Sequence, residues 1–287
     1  MYNILVTGSY GQLGSEIRGL AESYPQHQFF FTGVETLDIT DQNAISLFVQ
    51  GNKITAIINC AAYTAVDKAE SEPKLADKIN NLSVQYLAET AKVYNCKFIH
   101  ISTDYVFDGN SYKPYEEINK PNPQSVYGNT KLAGEQALQR INPENCIIIR
   151  TSWVYSTFGN NFVKTMLRLG QEKDEINVVA DQFGTPTYAR DLAHAILQIV
   201  PQIENKATVI YHYTNEGTCS WAGFAIEIFK MADISCKVNR ITTIEYPTPA
   251  KRPANSVLNK KKIKAHFGIS IPNWEDGLKR MLGAHIR

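Results

Sequence analysis

The chain has 287 residues, with 29 Lys and Arg against 28 Asp and Glu, so its net charge is close to zero. That balance excludes a general nucleic-acid or membrane-surface binder, because either partner demands a strong basic excess. Five cysteines scattered singly through apolar runs read as reduced core residues, and six histidines form no i,i+4 pair or Cys/His cluster, so no transition-metal site is expected.

The length admits a large core, as one α/β unit or as two lobes sharing it; two lobes sharing one core is the reading preferred. No apolar stretch reaches the length of a membrane span, and Met1-Tyr2-Asn3 leads straight into a strand with no room for a signal peptide, so a cytoplasmic protein without a membrane partner is expected. In chain order, Asn3 to Val6 is a short apolar, β-branched strand, followed by a glycine turn and an amphipathic helix bearing Leu13, Ile17, Leu20 and Ala21. Gln28 to Thr32 is a second strand. Thr40 or Asp41 caps a helix that carries Ile45, Leu47, Phe48 and Val49. Ala56 to Cys60 is the third strand, and a long helix from near Pro73 to Tyr94 sets Leu75, Ile79, Leu82, Tyr86, Leu87 and Ala91 on one face.

The strand from Lys97 to Ile101 comes next, then a Gly-, Pro- and Asn-rich surface loop from Asp108 to Ser125. Tyr127 to Ile141 reads as helix, Cys146 to Arg150 as strand, Asn161 to Leu169 as helix, and Ile176 to Val179 as a continuation of the sheet. Beyond this the rhythm loosens: a helix around Asp191 to Val200, a strand from Val209 to Tyr213, a helix from Ser220 or Trp221 to Met231, a proline-rich stretch over 246–253 and helical segments to the end. Apolar strands alternating with helices imply a doubly wound parallel α/β sheet covered on both faces, with a smaller C-terminal α/β part that caps its carboxyl edge and binds substrate. Residues 1–150 are the expected dinucleotide-binding core. Residues 151–287 complete the sheet and form the substrate part, with segments interleaved in one compact unit.

Gly8-x-x-Gly11-x-x-Gly14, placed between the first strand and the first helix, suits a pyrophosphate: glycines allow a sharp bend, close backbone approach and tight helix packing, and the helix N-terminus offers free N–H groups. Gly8, Gly11, Gln12, Leu13 and Gly14 are therefore candidate cofactor ligands. Small residues close the third strand, so Ala61, Ala62 and Tyr63 join them, and Asp38 and Ile39 are placed to flank an adenine. Strand two ends in Thr32-Gly33 without the carboxylate that would select NAD, so NADPH and NADH are both admitted. Tyr127 and Lys131 lie four residues apart and share a helix face. A free phenol titrates near ~10, and a fixed cation beside it favours the phenolate, which fits Tyr127 for proton exchange with a carbonyl/alcohol pair while Lys131 also holds cofactor ribose. Thr103, at the carboxyl end of the fourth strand, is placed to hydrogen-bond a substrate carbonyl oxygen.

The glycine spacing resembles that of the extended branch of the short-chain dehydrogenase/reductase superfamily. Gly8 to Gly14, Asn59 to Glu70, Ser102 to Gly109, Tyr127 to Glu135, Arg150 to Tyr155, Asp181 to Asp191 and Pro249 to Leu258 together resemble the dTDP-4-dehydrorhamnose reductase family over nearly the whole chain. The resemblance implies a Rossmann-like fold and NAD(P)H-dependent reduction of the C4 ketone of dTDP-4-dehydro-6-deoxy-L-mannose to dTDP-L-rhamnose. It makes Thr103, Tyr127 and Lys131 catalytic and puts Asp104 and Trp153 against the sugar. Magnesium and a homodimer are raised by the resemblance alone, since some members bind the ion at a dimer contact, and no ligands for it can be picked out. The nucleotide-sugar dehydratases follow the Thr-Asp pair with Glu, whereas Tyr105 stands here, which favours a plain reductase over a dehydratase or epimerase. A non-catalytic regulatory subunit of the same fold is the alternative from another class. Arg252, on the proline-rich loop, is a candidate for the substrate diphosphate, with a solvent-exposed arginine as the competing reading.

Overall fold

A computed structural model describes residues 1–285. Its centre is a six-stranded parallel sheet built from β1 (Asn3–Thr7), β2 (Gln28–Thr32), β3 (Ala56–Asn59), β4 (Lys97–Thr103), β5 (Cys146–Thr151) and a sixth strand, Val209–His212. The sixth strand pairs with β5 at one edge, β4, β3 and β1 follow, and β2 closes the other edge. Side chains alternate across a strand, and both faces of this sheet are covered, so each strand must be apolar throughout. Ile4, Val6, Ile58, Ile99 and Ile149 pack on one face with α1 (Gln12–Leu20) and the Ala189–Ile199 helix. Leu5, Ile57, Phe98 and Ile148 pack on the other with α2 (Gln42–Gly51) and the Ser83–Val93 helix. A third core lies in the C-terminal part, where Tyr155, Val163, Phe224, Ile228, Leu278 and Met281 are buried together. Among the described residues no helix is long and apolar enough to cross a membrane.

Two local expectations are corrected. Glu175–Val179 does not extend the main sheet; it pairs in parallel with Lys237–Ile241 in a separate two-stranded sheet. Its residues alternate exposed and buried, a pattern for a strand with one wet face, whereas a central parallel strand has none. The helix expected from Pro73 to Tyr94 is interrupted: Pro73–Asp77 and Ser83–Val93 flank a π-helical turn, Lys78–Leu82. That extra residue turns Asn80 inward, where its side chain accepts from Tyr63 N and donates to Tyr63 O and to Thr130 Oγ1, and it leaves Leu75 exposed. In α2, Ile45 and Val49 are buried and Leu47 is exposed, while Asp41 is the cap, accepting from Asn43 N and Ala44 N.

Candidate active site

A cleft of about 990 Å³ lies at the carboxyl ends of β1, β3, β4 and β5. Gly8, Gly11, Gln12 and Leu13 form its floor at the start of α1. Gly8 has a left-handed φ of +63°, and a Cβ there would strike the Ala61 backbone, so only glycine closes this turn. Gly14 does not face the cleft; a Cβ on it would collide with Gly8 O and Ser9, and its absence lets α1 sit directly on the turn. The N-cap of α1 is Gly11, which supplies no side-chain cap, whereas α2 and the Val126–Ile141, Phe162–Glu172 and Trp221–Met231 helices are each capped by a side chain. The free N–H groups and positive end of α1 thus open onto the cleft, as a dinucleotide pyrophosphate requires.

Asp38, Ile39, Ala61 and Ala62 line the same end of the cleft. Asp38 Oδ1 accepts from Thr40 N and Thr40 Oγ1, hydrogen bonds that hold its carboxyl below the usual range. Tyr63 is placed elsewhere: its hydroxyl donates to Glu72, 2.7 Å away, and the residue does not line the cleft. The Gln12 side chain reaches across, donating to Val154 O at 3.3 Å and accepting from Asn161 Nδ2 at 3.0 Å, so it ties the glycine turn to the loop after β5.

Thr103, Asp104, Tyr127 and Lys131 meet in the centre of the cleft. Ser125 starts the Val126–Ile141 helix by accepting from Gly128 N, and the absent Gly128 side chain lets that helix press on the Tyr105 carbonyl. Beneath it Arg150 of β5 donates to both oxygens of Glu135, Nε to Oε1 at 2.9 Å and Nη2 to Oε2 at 2.6 Å, while Ser102 Oγ donates to Oε1. This buried ion pair fixes the helix to β4 and β5. Tyr105 packs edge-on against Tyr127, ring centroids 5.5 Å apart.

The electrostatics differ from those expected of a Tyr/Lys pair. Burial pushes the Tyr127 phenol above its ordinary value, Thr103 pulls the other way, and Asp104 and Tyr105 add to the rise. The Lys131 ammonium is buried, donates to Ile101 O at 2.7 Å, and is pushed down to about 8 by desolvation. Tyr127 is therefore a protonated phenol, ready to give a proton rather than to take one. Asp104, 2% exposed, is pushed up to about 6 by burial, and accepts from Thr103 Oγ1 at 3.0 Å.

Trp153 lines the cleft with a left-handed φ of +47°, an unusual conformation for a bulky residue. Its ring stacks on Trp221, centroids 3.5 Å apart, and occupies the space a side chain on Gly184 would fill. Arg252 borders the cleft with its guanidinium engaged: Nη2 donates to Asp67 Oδ2 at 2.6 Å and Nη1 to the Tyr105 hydroxyl at 3.0 Å. Among the described residues no three His, Cys, Asp or Glu side chains are grouped to hold a metal.

Comparison with known proteins meets this geometry. The model of the RmlD substrate binding domain matches residues 2–286. A dTDP-4-dehydrorhamnose reductase of Aggregatibacter actinomycetemcomitans is 44% identical over 290 residues, covering 98% of each chain. The chain belongs to the dTDP-4-dehydrorhamnose reductase family. The crystal structure of one such reductase from Clostridium acetobutylicum superposes with a TM-score of 0.94 at 43% identity, covering 99% of this chain and 100% of the other. The reductase from Bacillus anthracis in complex with NADP gives 0.93 at 38% identity, covering 99% of each. Within this family frame, the cleft also gathers Trp221, Gly159, Asn160 and Asn161, which sequence reasoning missed. Their one signal was the tryptophan and glycine in otherwise polar loop ends, and it carried no register to the glycine turn. The buried Asn59 and His100 behind Lys131 were likewise missed as a unit, although Asn59 was read within its block.

Proposed function

We propose that this chain reduces the C4 ketone of dTDP-4-dehydro-6-deoxy-L-mannose to dTDP-L-rhamnose, using NADPH or NADH. The observation that carries this reading is the convergence of Thr103, Tyr127 and Lys131 on one cleft whose floor is the uncapped N-terminus of α1. A bound reduced nicotinamide supplies hydride to the ketone carbon. Gly8, Gly11 and the first N–H groups of α1 hold the pyrophosphate, Ala61 and Ala62 leave room for the dinucleotide backbone, and Asp38 and Ile39 flank the adenine. Gln12 and Leu13 shape the cofactor end of the cleft, whereas Gly14 serves by packing and Tyr63, bonded to Glu72 outside the cleft, takes no part in cofactor binding.

Thr103, on releasing Asp104, turns its hydroxyl to the ketone oxygen, and Tyr127 gives that oxygen the proton as negative charge develops there. Its raised phenol pKa keeps that proton in place until the oxygen becomes basic. Lys131 holds the nicotinamide ribose and faces the reacting centre. Asp104 and Trp153 contact the sugar, and Arg252, already oriented by Asp67 and Tyr105, offers its remaining N–H groups to the diphosphate. Residues 1–150 then bind the cofactor, and the later chain closes on the nucleotide sugar. A cytoplasmic location and a homodimer follow the same family reading. The test is loss of reduced-nicotinamide absorbance on mixing the purified chain with the dTDP-linked ketosugar. Stoichiometric, ketosugar-dependent oxidation supports the reductase; cofactor binding without turnover would leave the regulatory-subunit reading in its place.

A further inference from the structure

A chain of buried hydrogen bonds runs from β1 to Lys131 and constrains where its protons lie. Asn59 Oδ1 accepts from Thr7 Oγ1 at 2.7 Å and from Ala61 N at 3.2 Å. The Ala61 N–H is a backbone donor and cannot reverse, so the Asn59 oxygen must face it and the Asn59 amide nitrogen must face His100. That nitrogen lies 3.0 Å from His100 Nδ1 and donates to it. Nδ1 is then an acceptor, and the single proton of the neutral imidazole sits on Nε2. His100 is fully buried, and that burial keeps the ring neutral. Its Nε2 faces Lys131 Nζ at 3.3 Å.

An ammonium has only donors, so His100 Nε2–H opposite Lys131 as a cation is a donor facing a donor. The neutral amine has one lone pair and two N–H groups. It accepts from His100 and still donates to Ile101 O, leaving every partner satisfied. The other ionisable groups facing Lys131 do not cancel this. Glu135, one turn along the same helix, spends its oxygens on Arg150 and Ser102; the Cys60 thiol at the end of β3 is held protonated by burial; Tyr127 is a protonated phenol.

We propose that His100, fixed as its Nε2–H tautomer by Asn59, Thr7 and Ala61, is a positioning residue that donates to Lys131 and disfavours its ammonium form. Lys131 thereby holds its proton more loosely than an ordinary lysine, next to the residue that gives up a proton to substrate. The proposal rests on placing Lys131 at the reacting centre, but its test needs no turnover, so failure of the reductase reading and failure of this one are told apart.

The experiment is histidine-tautomer NMR on the cofactor-free chain labelled with ¹⁵N-histidine, combined with a pH titration of ¹³C-labelled lysine. Wild-type His100 is expected as the Nε2–H tautomer throughout the neutral range. Asn59→Asp replaces the donating amide with a second acceptor, so His100 should move its proton to Nδ1 and present a bare Nε2 to the Lys131 ammonium. Lys131 proton affinity then rises about tenfold or more. An Nδ1–H tautomer or an imidazolium in the wild type overturns the proposal, and so does a folded Asn59→Asp variant with His100 and Lys131 unmoved. Should that variant not fold, the wild-type tautomer decides alone.

Discussion

Tyr127 is the proposed proton donor, and its burial, which keeps the phenol protonated, suits it to that task. Tyr127→Phe removes the hydroxyl and keeps the ring against Tyr105, so turnover should fall ~10²- to 10⁴-fold while NADPH affinity, measured by fluorescence titration, is kept. A variant with near wild-type kcat would assign the proton to another group. Asp104 is a second residue whose burial has a measurable consequence. Its carboxyl titrates about 6 in the fold against the ordinary 3.8, so the folded chain binds the extra proton more tightly than the unfolded one between those values. Stability contributed by protonated Asp104 is thus present below the unfolded value and is lost as pH rises through the folded value, a loss on the order of 3 kcal/mol. Asp104→Asn should accordingly raise Tm at pH 7 and leave it unchanged below pH ~4, with a raised KM for the nucleotide sugar. A Tm at pH 7 equal to or below wild type would show that the buried charge is compensated. Tyr127 was legible as a candidate from its helix motif and Asp104 only through the family resemblance, and the electrostatics of neither were: spacing revealed that Lys131 lies near Tyr127, but not that both would be desolvated and that Lys131 would bond to Ile101 instead.

At the scale of elements, the glycine turn and the strands were the most readable parts of the sequence. A parallel strand buried on both faces must be a continuous β-branched run, and Ala56–Asn59 and Cys146–Thr151 declare themselves in that way. Glu175–Val179 misled because a short apolar run has no partner written in it, and only its alternating burial shows that it belongs to another sheet. The π turn at Lys78–Leu82 was invisible for a related reason, since it is stabilised by the distant backbone of Tyr63 and by Thr130. Within the glycine turn Gly8 and Gly11 should respond differently. A Cβ at Gly11 meets only Gly8 O, at 3.2 Å, and its φ of −75° is open to any residue. Gly11→Val is therefore expected to keep most of its thermal stability and lose NADPH affinity, because the branched side chain enters the phosphate site. Gly8→Val faces the Ala61 backbone from a left-handed φ and should lower Tm outright. Calorimetry paired with cofactor titration separates the two, and unchanged affinity in folded Gly11→Val would move the phosphate site elsewhere.

Over the whole molecule, the cleft is an assembly of distant segments. The glycine turn, the ends of β3 to β5, the loop bearing Asn160, the helix beginning at Trp221 and the proline-rich loop at Arg252 all reach it. Local periodicity could not register those segments against one another, which explains why Trp153 came only through family resemblance and its stacking partner Trp221 not at all. Arg252 is the long-range link most open to test, because it joins Asp67 and Tyr105 at the cleft wall. Arg252→Ala should raise KM for the nucleotide sugar well above any change in KM for NADPH, with kcat less affected, as expected for contacts equally strong in ground and transition states. Equal effects on both KM values would make it a structural strut. The central claim is hydride delivery to the sugar ketone, and deuterium transfer tests it most directly. With NADPH deuterated at nicotinamide C4 in both configurations and the dTDP-linked ketosugar as acceptor, NMR of the product should show one deuterium at C4 of the sugar for each cofactor oxidised. Deuterium at another carbon, or sugar conversion with no net loss of reduced cofactor, would contradict the assignment.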